Sequence, residues 1–193
     1  MIPENRLSTT PQVSEFADAR ALASTNLVNY ETGGVNISDS SQGLMVQTWR
    51  GQLIGNDITL DVPSNPLITP YIVYSGTSIT EFSFTFDQLM RPVVAFVQNK
   101  SSKLYWYDSS VASYVTVDFG ASFSNPRVTL DDKRLTSTTD SDVILAYIEN
   151  NALYYRQQRD RFLTPRLLYV GVTSLITIGF GKNNRLLFKV TPT

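Results

Sequence analysis

The run Val143-Ile144-Leu145-Ala146-Tyr147-Ile148 is apolar on both of its alternating faces, which restricts the fold more than any other feature of the chain. Successive side chains of a strand point to opposite sides, so such a run is stable only where both sides are covered. Through Glu149-Asn150-Asn151 it turns into Ala152-Leu153-Tyr154-Tyr155, giving two β-branched and aromatic strands joined by a tight polar turn. Upstream, Val94-Ala95-Phe96-Val97-Gln98-Asn99 leads through Lys100-Ser101-Ser102-Lys103 into Leu104-Tyr105-Trp106-Tyr107. Here too both faces are apolar, with Val93, Ala95 and Val97 on one and Val94 and Phe96 on the other. A third hairpin joins Gly179-Phe180-Gly181-Lys182-Asn183-Asn184 to Arg185-Leu186-Leu187-Phe188, with Gly179 equivalent to Ala95 and Ala146. Three such copies predict an all-β chain of antiparallel β-meander repeats, partial propeller-like or sandwich.

The other apolar segments fit that class. Leu44–Arg50 and Gln52–Ile54 precede a turn at Gly55-Asn56-Asp57, after which Ile58, Leu60 and Val62 alternate with Thr59 and Asp61. Phe82, Phe84 and Phe86 alternate with Ser83 and Thr85 as a strand covered on one side. Val115, Val117 and Phe119 point inward from a further strand. Residues from about Pro92 to Arg134 make one blade-sized unit, close to the roughly 45 residues of a propeller repeat. Three blades are too few to close a ring, so open edges need an oligomer or another partner as cover.

The first 41 residues have a different character. Met1 to Gln12 is polar and aperiodic, Ser14–Ala23 could form a short helix with Phe16, Ala19 and Ala23 on one face, and Gly33-Gly34 marks a loop. We therefore expect an extended N-terminal arm over residues 1–41 and a β domain over residues 42–193; the alternative is a segment folded back on its own domain. Deleting residues 1–40 should then leave a folded domain.

Chemistry is sparse. With no cysteine and no histidine, the chain has no disulfide, thiol nucleophile, Cys/His zinc site or imidazole base. A formal net charge of −1 exerts no pull toward nucleic acid, and no apolar run approaches the roughly 20 residues that span a bilayer. Met1 to Arg6 lacks the pattern of a secretory leader, so Asn36-Ile37-Ser38 and Asn99-Lys100-Ser101 are not read as glycosylation sites. Asp131-Asp132, and Asp140 with Asp142, could pair carboxylates for glycoside hydrolysis or bind calcium, but turn roles explain them more simply. Gly179-Phe180-Gly181-Lys182 lacks the spacing of a phosphate loop. Trp49, Tyr105, Trp106, Tyr107, Tyr154 and Tyr155 could stack a sugar, although core packing is the simpler role. The densest charge feature is Arg156, Arg159, Arg161 and Arg166 around Asp160, read first as an internally paired strand end, then as a protein interface and last as a grip on nucleic-acid phosphates.

One resemblance adds to this. Gln47-Thr48-Trp49, Phe84-Thr85-Phe86-Asp87-Gln88, Arg91-Pro92-Val93-Val94-Ala95-Phe96 and Leu104-Tyr105-Trp106-Tyr107-Asp108 are followed by Asn125-Pro126-Arg127-Val128-Thr129-Leu130-Asp131-Asp132-Lys133-Arg134. Asp142–Tyr147 and Tyr154-Tyr155-Arg156-Gln157-Gln158-Arg159-Asp160-Arg161-Phe162 complete the set. In that order they resemble small β-rich virion proteins encoded among the structural genes of tailed bacteriophages. The resemblance covers about residues 42 to 190 and is most specific at Asp-Asp-Lys-Arg and Gln-Arg-Asp-Arg, although Phe162 stands where the family usually has tyrosine. It implies a structural role in the tail or neck of a virion assembled in the host cytoplasm, and it supplies no catalytic residue.

The expected protein is therefore not an enzyme and has no catalytic residue, cofactor or metal. Its partners are other virion structural proteins and copies of itself in a symmetric homo-oligomer, with neither membrane nor nucleic acid. Phe16, Arg156, Arg159, Arg161 and Arg166 are the expected interface residues. The alternative is a receptor- or glycan-binding module of the fibre or adhesin kind.

Overall fold

Alternating runs punctuated by two-residue turns leave strands as the one regular structure open to most of this chain. The computed structural model describes residues 7–8, 19–21, 29–36, 45–63, 69–87, 89–130, 142–180 and 186–193. They form β1 (Leu7–Ser8), β2 (Ala19–Ala21), β3 (Asn29–Asn36), β4 (Met45–Ile54), β5 (Asp57–Asp61), β6 (Tyr71–Ser75), β7 (Ile79–Phe86) and β8 (Pro92–Gln98). The chain continues through β9 (Ser101–Asp108), β10 (Ser113–Gly120), β11 (Ser124–Leu130), β12 (Val143–Glu149), β13 (Ala152–Gln157), β14 (Arg166–Val170), β15 (Val172–Phe180) and β16 (Leu186–Pro192). Four sheets result, ordered β2-β3-β4-β5-β6, β7-β8-β9-β10, β11-β12-β13-β14 and β15-β16-β1. Every neighbouring pair is antiparallel except β1 with β16, where Leu7 faces Phe188 and Ser8 faces Lys189 in parallel. The meander class is as the alternation predicts, and no closed barrel forms among the described residues.

The repeat count needs correcting. The equivalent hairpins are β4–β5, β8–β9 and β12–β13, turning at Gly55-Asn56, Asn99-Lys100 and Asn150-Asn151. Both residues of the last two turns have positive φ, which matches a hairpin turn to the twist of its strands. The second turn is therefore Asn99-Lys100 rather than Lys100–Lys103, of which Ser101 to Lys103 already belong to β9. Gly179 lies on β15, which pairs antiparallel with β16 with Gly179 opposite Leu187, so the third hairpin forms, although β15 ends its sheet where β8 and β12 are inner strands. The blade-sized unit is Ile79–Gly120 rather than Pro92–Arg134, and there are four sheets rather than three. Residues 19–21 are a strand rather than helix, and Asn29–Asn36 pairs with β4 from Asn29 opposite Gln52 to Asn36 opposite Met45. These parts of the expected arm belong to the first sheet; Phe16 lies outside the described residues.

Three hydrophobic layers separate the four sheets. Trp49, Ile58 and Leu60 meet Phe82, Phe84, Val94 and Phe96 between the first and second. Val93, Ala95, Leu104 and Trp106 meet Val128, Val143, Leu145 and Tyr147 between the second and third. Ile144, Ala146 and Ile148 meet Val172, Leu175, Ile178 and Phe188 between the third and fourth. Strands β8 and β12 thus contribute to a layer on each side, which is why both faces are apolar. Burying each large side chain is worth about 2 kcal/mol against leaving it in water.

Strand β7 departs from its one-sided reading. Ser83 and Thr85 are as buried as the phenylalanines, because that face packs on β11, where Ser83 Oγ accepts from the Val128 N–H at 3.1 Å. Contacts run from β3 to β7, β7 to β11, β11 to β15 and β15 to β2, so the sheets follow one another like blades.

Candidate functional site

After β13 the chain makes one 3-10 turn, Gln158–Asp160, then two residues in the left-handed region, Arg161 at φ 57° and Phe162 at φ 58°. Such backbone persists only where its surroundings hold it. Here the arginines do much of the holding. Arg156 donates from Nη1 to the carbonyls of Phe162 and Leu163, both at 2.8 Å, and from Nε to the Tyr147 hydroxyl at 3.1 Å. Its guanidinium lies over Phe119 and Phe123, each 5.3 Å from the ring centre. The Arg159 backbone N–H and Nε donate to Asp142 at 2.9 and 2.6 Å. Arg161 Nη2 reaches Asp108 on β9 at 2.6 Å and so ties the third sheet to the second. The Ser110 hydroxyl, then Arg161, holds the Asp108 carboxyl below its ordinary range. Phe162 is buried edge-on against Trp106, 5.1 Å between centres.

Arg166 is less well matched. Its Nη2 approaches Asp160 Oδ2 to 3.2 Å, an ion pair without hydrogen-bond geometry. Both Asp160 carboxylate oxygens and Arg166 Nη1 are buried and make no hydrogen bond among the described residues. The structure thus brings Arg156, Arg159, Arg161 and Arg166 together around one connection. Their inner sides build that connection, while Arg159 and Arg161 each leave about half of the side chain exposed. Asp142 is buried beneath Arg159, and Asp131, Asp132 and Asp140 lie outside the described residues. Among the described residues no group of three or more metal-type side chains gathers, and no helix is long and apolar enough to cross a membrane.

The connection delivers the chain to β14, an outer strand with β13 as its one hydrogen-bonded neighbour among the described residues. Leu167 is 56% exposed and Val170 63%, with Leu163 and Tyr169 exposed beside them. An edge of unpaired N–H and C=O groups carrying apolar side chains is a template for another chain. Sequence reading missed this edge because Arg166-Leu167-Leu168-Tyr169-Val170 looks like any inner strand.

The aromatic residues divide. Trp49 and Trp106 are core residues, with indole N–H groups buried and unpartnered among the described residues, and Tyr154 and Tyr155 are largely covered. Tyr105 and Tyr107 instead join Tyr71, Tyr74 and Tyr114 along the outer seam between the first and second sheets. Tyr114 stacks on Tyr105 at 4.9 Å and 7°, and meets Tyr107 edge-on at 5.3 Å. Tyr74 crosses from β6 to meet Tyr105 at 5.6 Å, and Arg91 Cζ sits 4.3 Å over the Tyr107 ring. Tyr114 could have been placed from the alternation that turns Val115, Val117 and Phe119 inward; Tyr71 carries no comparable signal. In comparisons with protein-family models, curated proteins and solved structures, none matches this chain.

Proposed function

We propose that this chain is a non-enzymatic structural component of a tailed-phage virion, part of its tail or neck, docking on neighbouring virion proteins and on further copies of itself. The open apolar edge of β14 is the observation that carries the assembly reading. An outer strand in a chain meant to stay alone is ordinarily guarded by charge, proline or a covering segment. On β14 the sole charged residue is Arg166, and the exposed positions are leucine, tyrosine and valine. The phage setting rests on the sequence resemblance over residues 42 to 190.

Tagging the chain at its C-terminus in the phage genome and fractionating the particles tests the proposal. The tag should sediment with tailed particles in several copies each; particles free of it would overturn the assignment. A Leu167→Lys/Tyr169→Lys variant tests the edge separately. It should fold and remain soluble but stay out of the particle, and normal incorporation would remove β14 from the assembly reading.

A further inference from the structure

The seam between β6 and the β9–β10 pair contains five of the ten tyrosines in the chain. Tyr71 and Tyr114 are 37% and 38% exposed, and Tyr71 is backed edge-on by the buried Trp49 at 6.1 Å. Two features set this cluster apart from ordinary aromatic packing. Tyr74 donates to Gln98 at 3.2 Å, whereas among the described residues no protein group bonds the hydroxyls of Tyr71, Tyr105, Tyr107 or Tyr114. Arg91 uses Nε for Asp87 at 2.7 Å, which leaves its two Nη groups without a partner among the described residues. Aromatic faces, free phenols and a free guanidinium edge are gathered in one place.

We infer that this seam is a saccharide-binding site, in which a pyranose ring packs against the exposed parts of the Tyr71 and Tyr114 rings and its hydroxyls bond the neighbouring phenols and Arg91. A sugar presents a C–H face for the aromatic rings and a donor-acceptor hydroxyl on most ring carbons, matching both halves of the site. Burial holds the Tyr71 and Tyr114 phenols protonated up to about 12, so both remain donors at any physiological pH. A proline-rich peptide also stacks on tyrosine and its carbonyls accept from phenols, but its prolines have no N–H to donate back to the phenol oxygens, as a sugar hydroxyl does. The site needs neither a second copy nor a particle, so it stands independently of the virion proposal.

The test uses the full chain against an array of defined oligosaccharides of hexose, N-acetylhexosamine and uronic acid, with decaproline as the competing ligand. The strongest array ligand is then titrated in solution. Tyr114→Ala and Tyr71→Ala should each weaken binding about tenfold, Tyr114→Phe by about threefold, and Tyr169→Ala on β14 not at all. Should Tyr114→Ala fail to fold, a Tyr107→Phe/Tyr114→Phe variant keeps both rings and should still weaken binding through the lost hydroxyls. Failure to bind any array sugar, preference for decaproline, or undiminished binding in the folded variants would overturn the inference.

Discussion

Arg127 is 3% exposed, yet its guanidinium reaches elements far apart in sequence. From β11 it donates to Glu81 on β7 at 3.0 Å and to the Ile176 carbonyl on β15 at 3.1 Å, so one side chain ties three sheets. Removing it strands the Ile176 carbonyl and leaves Glu81 without its cation. Arg127→Met should cost about 3 kcal/mol in urea unfolding. Asp108 makes a pH-dependent tie of the same kind. Its carboxyl is held below the ordinary value, first by Ser110 and then by Arg161, so the ionised form is favoured in the folded state. The resulting stability is present above the unfolded value, about 3.9, and is lost as pH falls through the lowered folded one. The stability difference between wild type and Asp108→Asn should therefore be full at neutral pH and close on acidification; a constant difference would refute the linkage. Neither role was legible in the sequence. The partners of Arg127 lie 46 and 49 residues away, and nothing within Asn125-Pro126-Arg127-Val128 announces them.

Strands were more legible than side-chain ties because their signal is local. Apolar residues on both faces placed β8 and β12 between layers, and three layers separate the four sheets. The polar face of β7 misled because Ser83 and Thr85 alternate with phenylalanine as solvent-facing residues would, yet a neighbouring strand covers them. The hairpin signal held at β15–β16, which pair antiparallel, but it did not tell that β15 ends its sheet while β8 and β12 lie inside theirs. A close approach invisible in the sequence occurs at Gly51 on β4. A Cβ there would lie 2.7 Å from Phe84 and 2.8 Å from Phe82, both anchored in the first layer. Overpacking displaces rings that have nowhere to go, so Gly51→Ala should cost about 1–3 kcal/mol in urea unfolding. Full stability in that variant would mean that the two phenylalanines can shift aside.

At the scale of the whole molecule, the N-terminal residues decide how the sheets are held as a set. Their polar, aperiodic sequence reads as a removable arm, because two- and three-residue strands carry no periodicity and Gly33-Gly34 signals a loop. Yet β1 adds to the last sheet, β2 contacts β15, and β3 covers β4 along eight residue pairs while touching β7. Deleting residues 1–40 would remove all of these together. The edge of β4 would open, the last sheet would shrink to the β15–β16 hairpin, and the contact between the last and first sheets through β2 would vanish. Exposed edges and half-covered apolar faces favour association over folding. The truncated chain should melt roughly 10 °C or more below the full chain, bind a hydrophobic dye, and self-associate as concentration rises. Deleting only residues 1–10 removes β1 but leaves the first sheet intact, so it should lower the midpoint far less. If the longer deletion melts with the full chain, the first three strands contribute nothing to holding the sheets together. In that case residues 1–40 are an arm after all, and their contribution must be sought in contacts with another subunit.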